Sequence, residues 1–163
     1  MPSEIRAFQP VAGDPGRLVT VFETDPAAWL PEARQDDDND DRWLLVLRAG
    51  ALHRTVRMTV APAWRAGATM WRSLSWEPVG TSGESTPTDR LLPSFTGELG
   101  IHAEGRERTT LALDGHYEPP GGRLGQAADT IALHRVAQAT ASSLVADIAG
   151  GLSTAAGKPP APK

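Results

Sequence analysis

Cysteine is absent from the 163 residues, which removes disulfides, thiolate nucleophiles and cysteine metal sites together. Lysine stands only at 158 and 163, and tyrosine only at Tyr117, while arginine is frequent. With a formal net charge of −4, the chain lacks the basic surface that releases counterions from a phosphate backbone. Nucleic acid is therefore not an expected partner. No apolar run approaches the ~18–20 residues that span a bilayer. The opening MPSEIRAFQP has no basic region followed by an apolar core, so it does not read as a signal peptide. A cytoplasmic protein without an integral membrane segment is the expectation. The Gly-x-Ser-x-Gly elbow, the Walker loop, the dinucleotide fingerprint and His-Glu-x-x-His are also missing.

Apolar residues make up 40% of the chain and charged residues 22%, a balance that suits one globular domain. Its expected extent is residues 1–152, with 153–163 a small, polar, proline-rich disordered tail. Glu4–Phe8 alternates like a short first strand. Asp14-Pro15 and Asp25-Pro26 each put a capping carboxylate before a proline suited to the first helical position, so two short helices should follow. A strand over 18–24 is the rival reading of the first, because Val-Thr-Val-Phe is β-branched and aromatic. The acidic run 34–42 lacks the glycine and glutamate of a calcium loop and reads as a solvated loop.

Five strands come next, over 43–48, 52–60, 68–77, 94–103 and 108–117. A turn at 49–51, a loop at 61–67, a turn-rich loop at 80–89 and a turn at 104–107 join them, which implies an antiparallel sheet. Glu118-Pro119-Pro120-Gly121-Gly122 then breaks the last strand, since proline offers no N–H to a ladder. A helix of about 25 residues, or roughly 38 Å, follows and should stop at Gly150-Gly151.

This order resembles the helix-grip fold of the START-like, or SRPBCC, superfamily, which includes polyketide cyclases, coenzyme-Q-binding proteins and Bet v 1-type proteins. The segments DPAAWLP (25–31), LRAGALHRTVRMTV (47–60), LSWEP (74–78), LLPSFTGELGI (91–101) and TTLALDGHYEPPGGRLGQAADTIALHRVAQAT (109–140) carry the resemblance. It implies an α+β fold: a curved antiparallel sheet wrapped around a long C-terminal helix, with two short helices after the first strand. It also implies a ligand cavity between sheet and helix. None of these segments is a catalytic signature.

Alternation divides the sheet into two faces. With position 46 taken opposite 54 and 56 opposite 72, the more apolar face holds Leu44, Val46, Leu52, Val56, Met58, Met70, Leu74 and Trp76. The last hairpin adds Phe95, Leu99, Ile101, Leu111, Leu113 and Tyr117. The helix adds Leu133, Val136, Ala137, Thr140 and Leu144. Each of these is either core or cavity wall. Arg54 and Arg72 share this face and would be diagonal neighbours some 5–8 Å apart. Together they would form an anchor for a carboxylate or phenolate, or else sit at a rim, at a bulge, or in an ion pair with an acid such as Asp129. His134 is a cavity or rim group. The Tyr117 hydroxyl would touch a ligand or fix the corner between strand and helix. His102 and His116 fall about seven residues apart along the ladder, near 23 Å, too far for one metal. Gly121-Gly122-Arg123-Leu124-Gly125 lacks the lysine and spacing of a phosphate loop.

A hydrophobic small molecule, lipid-, polyketide- or quinone-like, is the expected partner, with no cofactor and no metal. A cyclase- or dehydratase-type enzyme on the same scaffold is the alternative, though the inward strand positions offer it no carboxylate or histidine. A closed structural domain without ligand is the third reading. Monomer and homodimer both remain open.

Overall fold

The computed structural model describes residues 3–24, 26–50, 52–79, 93–118 and 127–157. The 80–89 loop, the Pro-Pro-Gly-Gly break and the last six residues lie outside these ranges, as do the side chains of 127–130.

Strand β1 (Ser3–Val11) is longer than its alternating core, with Ile5 and Ala7 buried and Phe8 turned outward. Helix α1 (Pro15–Glu23) forms over the stretch that could also be read as a strand. Its start decides the matter: the Asp14 side chain accepts a hydrogen bond from the Arg17 N–H at 3.0 Å, and proline occupies the first helical position. Leu18 and Phe22 are the face it buries. The second short helix shrinks to a single 3-10 turn, Pro26–Ala28.

The acidic run is not a loop. It folds into a hairpin of β2 (Arg34–Asp36) and the start of β3 (Asn39–Ala49). Backbone pairing at a sheet edge does not require apolar side chains, and Asp36 is tied down by Arg57, whose Nε lies 3.3 Å from its carboxylate. After β3 come β4 (Leu52–Val60), the short β5 (Trp64–Ala66), β6 (Thr69–Pro78), β7 (Ser94–Glu104) and β8 (Arg108–Glu118). The curved antiparallel sheet has the order β1-β8-β7-β6-β4-β3-β2, with β5 paired to β6.

Two registers differ from expectation, each because of a turn. Ala49 pairs with Leu52, so the β3–β4 turn has two residues, not three, and Gly50 takes the positive φ of 62°. A one-residue change in a turn reverses which face the partner strand presents. Trp43, Leu45 and Leu47 are therefore the buried residues of β3, while Val46 is exposed and Leu44 only half-buried. The expected loop over 61–67 contains β5, and the reversal occurs after it, at Gly67-Ala68. That shifts the β4–β6 register so that Val56 faces Pro78 rather than Arg72.

Helix α2 (Ala127–Gly157) lays Leu133, Ala137, Thr140, Leu144, Ile148 and Leu152 onto the concave face of the sheet. Burying each leucine- or isoleucine-sized side chain is worth about 1.5–3 kcal/mol. The helix does not stop at Gly150-Gly151 but runs six residues beyond Gly151, so 153–157 is helical rather than tail. Packing keeps the glycines inside it. A Cβ on Gly151 would overlap the Trp29 carbonyl oxygen and lie 3.0 Å from its carbonyl carbon, whereas one on Gly150 would meet nothing within 4 Å among the described residues.

The two neighbouring alanine substitutions should therefore have opposite signs. Gly150→Ala should raise stability by up to about 1 kcal/mol, the ordinary helix-interior gain. Gly151→Ala should cost about 2 kcal/mol as α2 is pushed off Trp29. Urea midpoints of the two variants check this; equal shifts would rule out the close approach.

The helix also guards one margin of the sheet. Gln138 Nε2 donates to the Arg6 carbonyl of β1 at 2.9 Å, and Ser153 Oγ donates to the Ala12 carbonyl just past the strand's end.

Candidate functional site

The inward positions of β4, β6, β7, β8 and α2 converge as expected. Val56, Met58, Leu99, Ile101, Leu111 and Leu113 are 0% exposed. These side chains meet protein atoms on every side. Leu74, Trp76, Phe95, Tyr117, Leu133, Ala137, Thr140 and Leu144 are also buried, and Val136 is half-buried. Trp76 stacks on Phe95 with ring centroids 4.3 Å apart and donates its indole N–H to the Pro93 carbonyl at 3.2 Å. The Thr140 hydroxyl donates back to the Val136 carbonyl at 2.7 Å. The Tyr117 hydroxyl meets His134 Nδ1 at 3.3 Å, a bond between the end of the last strand and the exposed face of α2.

The two arginines are not neighbours. Val56 pairs with Pro78, six residues along β6 from Arg72, and Arg54 lies two residues farther out. At ~3.3 Å per residue the separation is about 26 Å. Arg54 is half-buried and reaches the Val79 carbonyl at 3.4 Å. Arg72 is 5% exposed and directs its guanidinium at backbone carbonyls: Nε to Phe22 at 2.9 Å, Nη1 to Ala61 at 2.9 Å, and Nη2 to Glu23 at 3.0 Å and Thr24 at 2.8 Å. Three of these carbonyls end α1, which has no basic residue in its own last turn. The arginine thus supplies from the sheet the cation that a helix C-terminus favours. Its guanidinium carbon also lies 5.7 Å from the ring centres of both Phe22 and Trp29. The Asp129 side chain, offered above as a partner, falls outside the described residues.

Open space lies beside this arginine. A cleft of about 860 Å³ runs between the end of α1 and the tips of β3 to β6. Its floor belongs to the inward face of the sheet, with Trp43, Val60, Met70 and Arg72. Its rim carries Glu23, Asp40, Asp41 and Arg65. Trp43 was missed because the misread turn gave β3 the wrong face. The signal for it was the bulk of Trp43 at the start of a strand apolar on both faces.

Two smaller clefts, about 600 and 450 Å³, lie beside β3 and α2 and on the convex face over Thr96 and His116. His102 pairs with Thr110 and His116 with Thr96, which puts the two histidines six residues apart along the ladder, about 20 Å.

An eight-stranded curved antiparallel sheet holding one long C-terminal helix now has solved counterparts. The Zhui aromatase/cyclase from Streptomyces sp. R1128 superposes with a TM-score of 0.54, covering 93% of this chain and 94% of that one at 13% identity. The fold is the α+β helix grip. Ara h 8.0201 shares it at a TM-score of 0.51, 11% identity and 94% and 99% coverage. So does the protein XoxI from Bacillus cereus, at 0.50, 9% identity and 92% and 95% coverage. No family model and no curated protein matches the sequence. The cleft lies where the end of α1 and the start of the 3-10 turn come against the sheet. No helix among the described residues is long and apolar enough to cross a membrane.

Proposed function

We propose that this protein binds a hydrophobic small molecule, lipid-, polyketide- or quinone-like, between the sheet and α2, and that the ligand enters by the cleft under α1. The observation that carries this reading is a cleft of about 860 Å³, polar at its rim, that reaches the inward face of the sheet at Trp43, Val60 and Met70. Its size falls within the ~300–1,000 Å³ usual for small-molecule sites. The tightly packed interior beyond it fits a pocket that widens when a ligand displaces side chains. A cytoplasmic carrier or sensor is the corresponding role, and no nucleic acid is part of it.

A cyclase-type enzyme is the second reading. It draws on the fold shared with an aromatase/cyclase and on the Tyr117–His134 pair, where a proton could be exchanged.

Native mass spectrometry of protein purified from its own host, followed by solvent extraction, tests both. An apolar compound should copurify, and members of a lipid and polyketide panel should raise the melting temperature. Conversion of a bound polyketide would mark the enzyme. No copurifying compound and no thermal shift would leave the closed structural domain standing.

A further inference from the structure

We propose that Trp43 is the polar anchor of the cleft, its indole N–H donating to a neutral carbonyl or ether oxygen of the ligand. The proposal rests on the binding reading above and specifies the head group that the site selects.

The argument starts from unmatched donors. Trp43 is 3% exposed, lines the cleft, and its Nε1 has no hydrogen-bond partner among the described residues. Trp29, 1% exposed, has the same unmatched Nε1 and stacks on Phe22 beside Arg72. Among the described residues, Arg57 Nε, which lies 3.3 Å from the Asp36 carboxylate, and Thr109 Oγ1 are in the same condition. Trp43 lines the cleft, and Trp29 packs beside Arg72, which lines it too. Folds rarely keep a buried donor without an acceptor, and such atoms call for a specific explanation.

Indole nitrogen donates and never accepts, so the missing partner is an acceptor. Charge then separates neutral acceptors from anionic ones. Glu23, Asp40 and Asp41 stand at the rim against Arg65, and the Arg72 guanidinium is directed at backbone carbonyls. A carboxylate head would meet three rim carboxylates, with Arg65 the one rim guanidinium set against them. A ketone, quinone, lactone or ester oxygen accepts from an indole without that repulsion. Trp43 Nε1 is covered, so a ligand has to displace the side chains above it. That matches the closed packing of the interior.

Three probes on one ring skeleton test the assignment: fluorenone, fluorene and fluorene-9-carboxylate, measured by equilibrium dialysis against the full chain. Fluorenone should bind about tenfold tighter than fluorene, one hydrogen bond's worth, and tighter than the carboxylate. In Trp43→Phe, which keeps an aromatic ring and loses the donor, the ketone preference should fall to about one. Proton–nitrogen NMR of the wild-type indole N–H groups gives a reading that does not depend on the variant's folding. Fluorenone should move the Trp43 resonance downfield and fluorene should not. A ketone preference that survives in Trp43→Phe, a carboxylate that binds best, or a shift confined to Trp29 would overturn the assignment while leaving the binding site intact. Failure of all three probes to bind would overturn the assignment and count against the binding reading too.

Discussion

Replacing Arg72 by methionine should destabilise the protein by about 4 kcal/mol. The side chain is 5% exposed, and its guanidinium reaches carbonyls on two separate segments, Phe22 to Thr24 and Ala61. Methionine fills much the same volume and leaves those oxygens without the donor. A hydrogen bond from a charged donor is worth about 1.5–3 kcal/mol, and several such bonds from one group are not additive. Water entering from the cleft recovers part of the loss. Lysine should rescue only in part, because a single ammonium cannot present the planar fork that spans four carbonyls. The measurement is urea unfolding: a midpoint lower by about 2 M with an unchanged slope. Amide exchange over 18–22 should accelerate more than exchange in β7 and β8, because α1 is the element the arginine ties down. A loss under about 1 kcal/mol would mean that the carbonyls resolvate freely.

Gly115→Ala should cost about 3 kcal/mol, and Gly97→Ala about the same. These glycines face each other across β7 and β8. A Cβ on Gly115 would overlap the Thr96 carbonyl oxygen and lie 2.6 Å from both the Gly97 Cα and the Phe95 ring tip. A Cβ on Gly97 would overlap the Asp114 carbonyl oxygen and lie 2.7 Å from the Gly115 Cα and 2.8 Å from the same ring atom. Two strands meet here more closely than side chains allow, and Phe95 lies across the bare pair with Trp76 stacked on it. Glycines at such points let a sheet bend, and a sheet must bend to grip a helix. The obstruction is backbone as well as ring, so trimming the ring should not help. The double variant Gly115→Ala with Phe95→Leu should be less stable than Gly115→Ala alone. Calorimetric melting of the three variants checks this, and rescue by Phe95→Leu would show that the ring alone sets the cost.

Much of this architecture was legible in the residues. Strands β4, β6, β7 and β8 alternate cleanly, so Val56, Met58, Leu74, Trp76, Phe95, Leu99, Ile101, Leu111, Leu113 and Tyr117 were assigned to the buried face and lie there. Strand β3 was not legible in the same way. Trp43-Leu44-Leu45-Val46-Leu47 is apolar in both phases, so only the turn could choose the face, and Ala49-Gly50-Ala51 permits two lengths. The supposed Arg54–Arg72 pair failed for a related reason. The hairpin at Gly67-Ala68 borrowed Trp64–Ala66 as a strand, and every rung beyond it moved.

The role of Arg72 was out of reach of any local reading. The helix carbonyls it meets lie 48 to 50 residues away, and backbone oxygens leave no trace in composition. The cleft was equally hidden, because its walls come from α1, β3, β5 and β6 and exist only once the register is known. The helix end was misread because glycine signals a stop only where nothing else requires it. At Gly151 the Trp29 backbone required it.

The two margins of the open sheet have a consequence for how copies of this chain treat one another. An exposed strand edge is a template on which another chain can add its own strand and seed aggregation. Along β1 that template is already occupied in part, because Gln138 of α2 takes the Arg6 carbonyl and Ser153 takes that of Ala12, just past the strand. At the opposite margin the terminal strand is three residues long and opens into Asp36-Asp37-Asp38. A second copy offering its own acidic margin meets like charge before it can pair. The acidic run that looked like an idle loop is then a guard against edge-to-edge stacking, and the helix that closes the grip guards the other side.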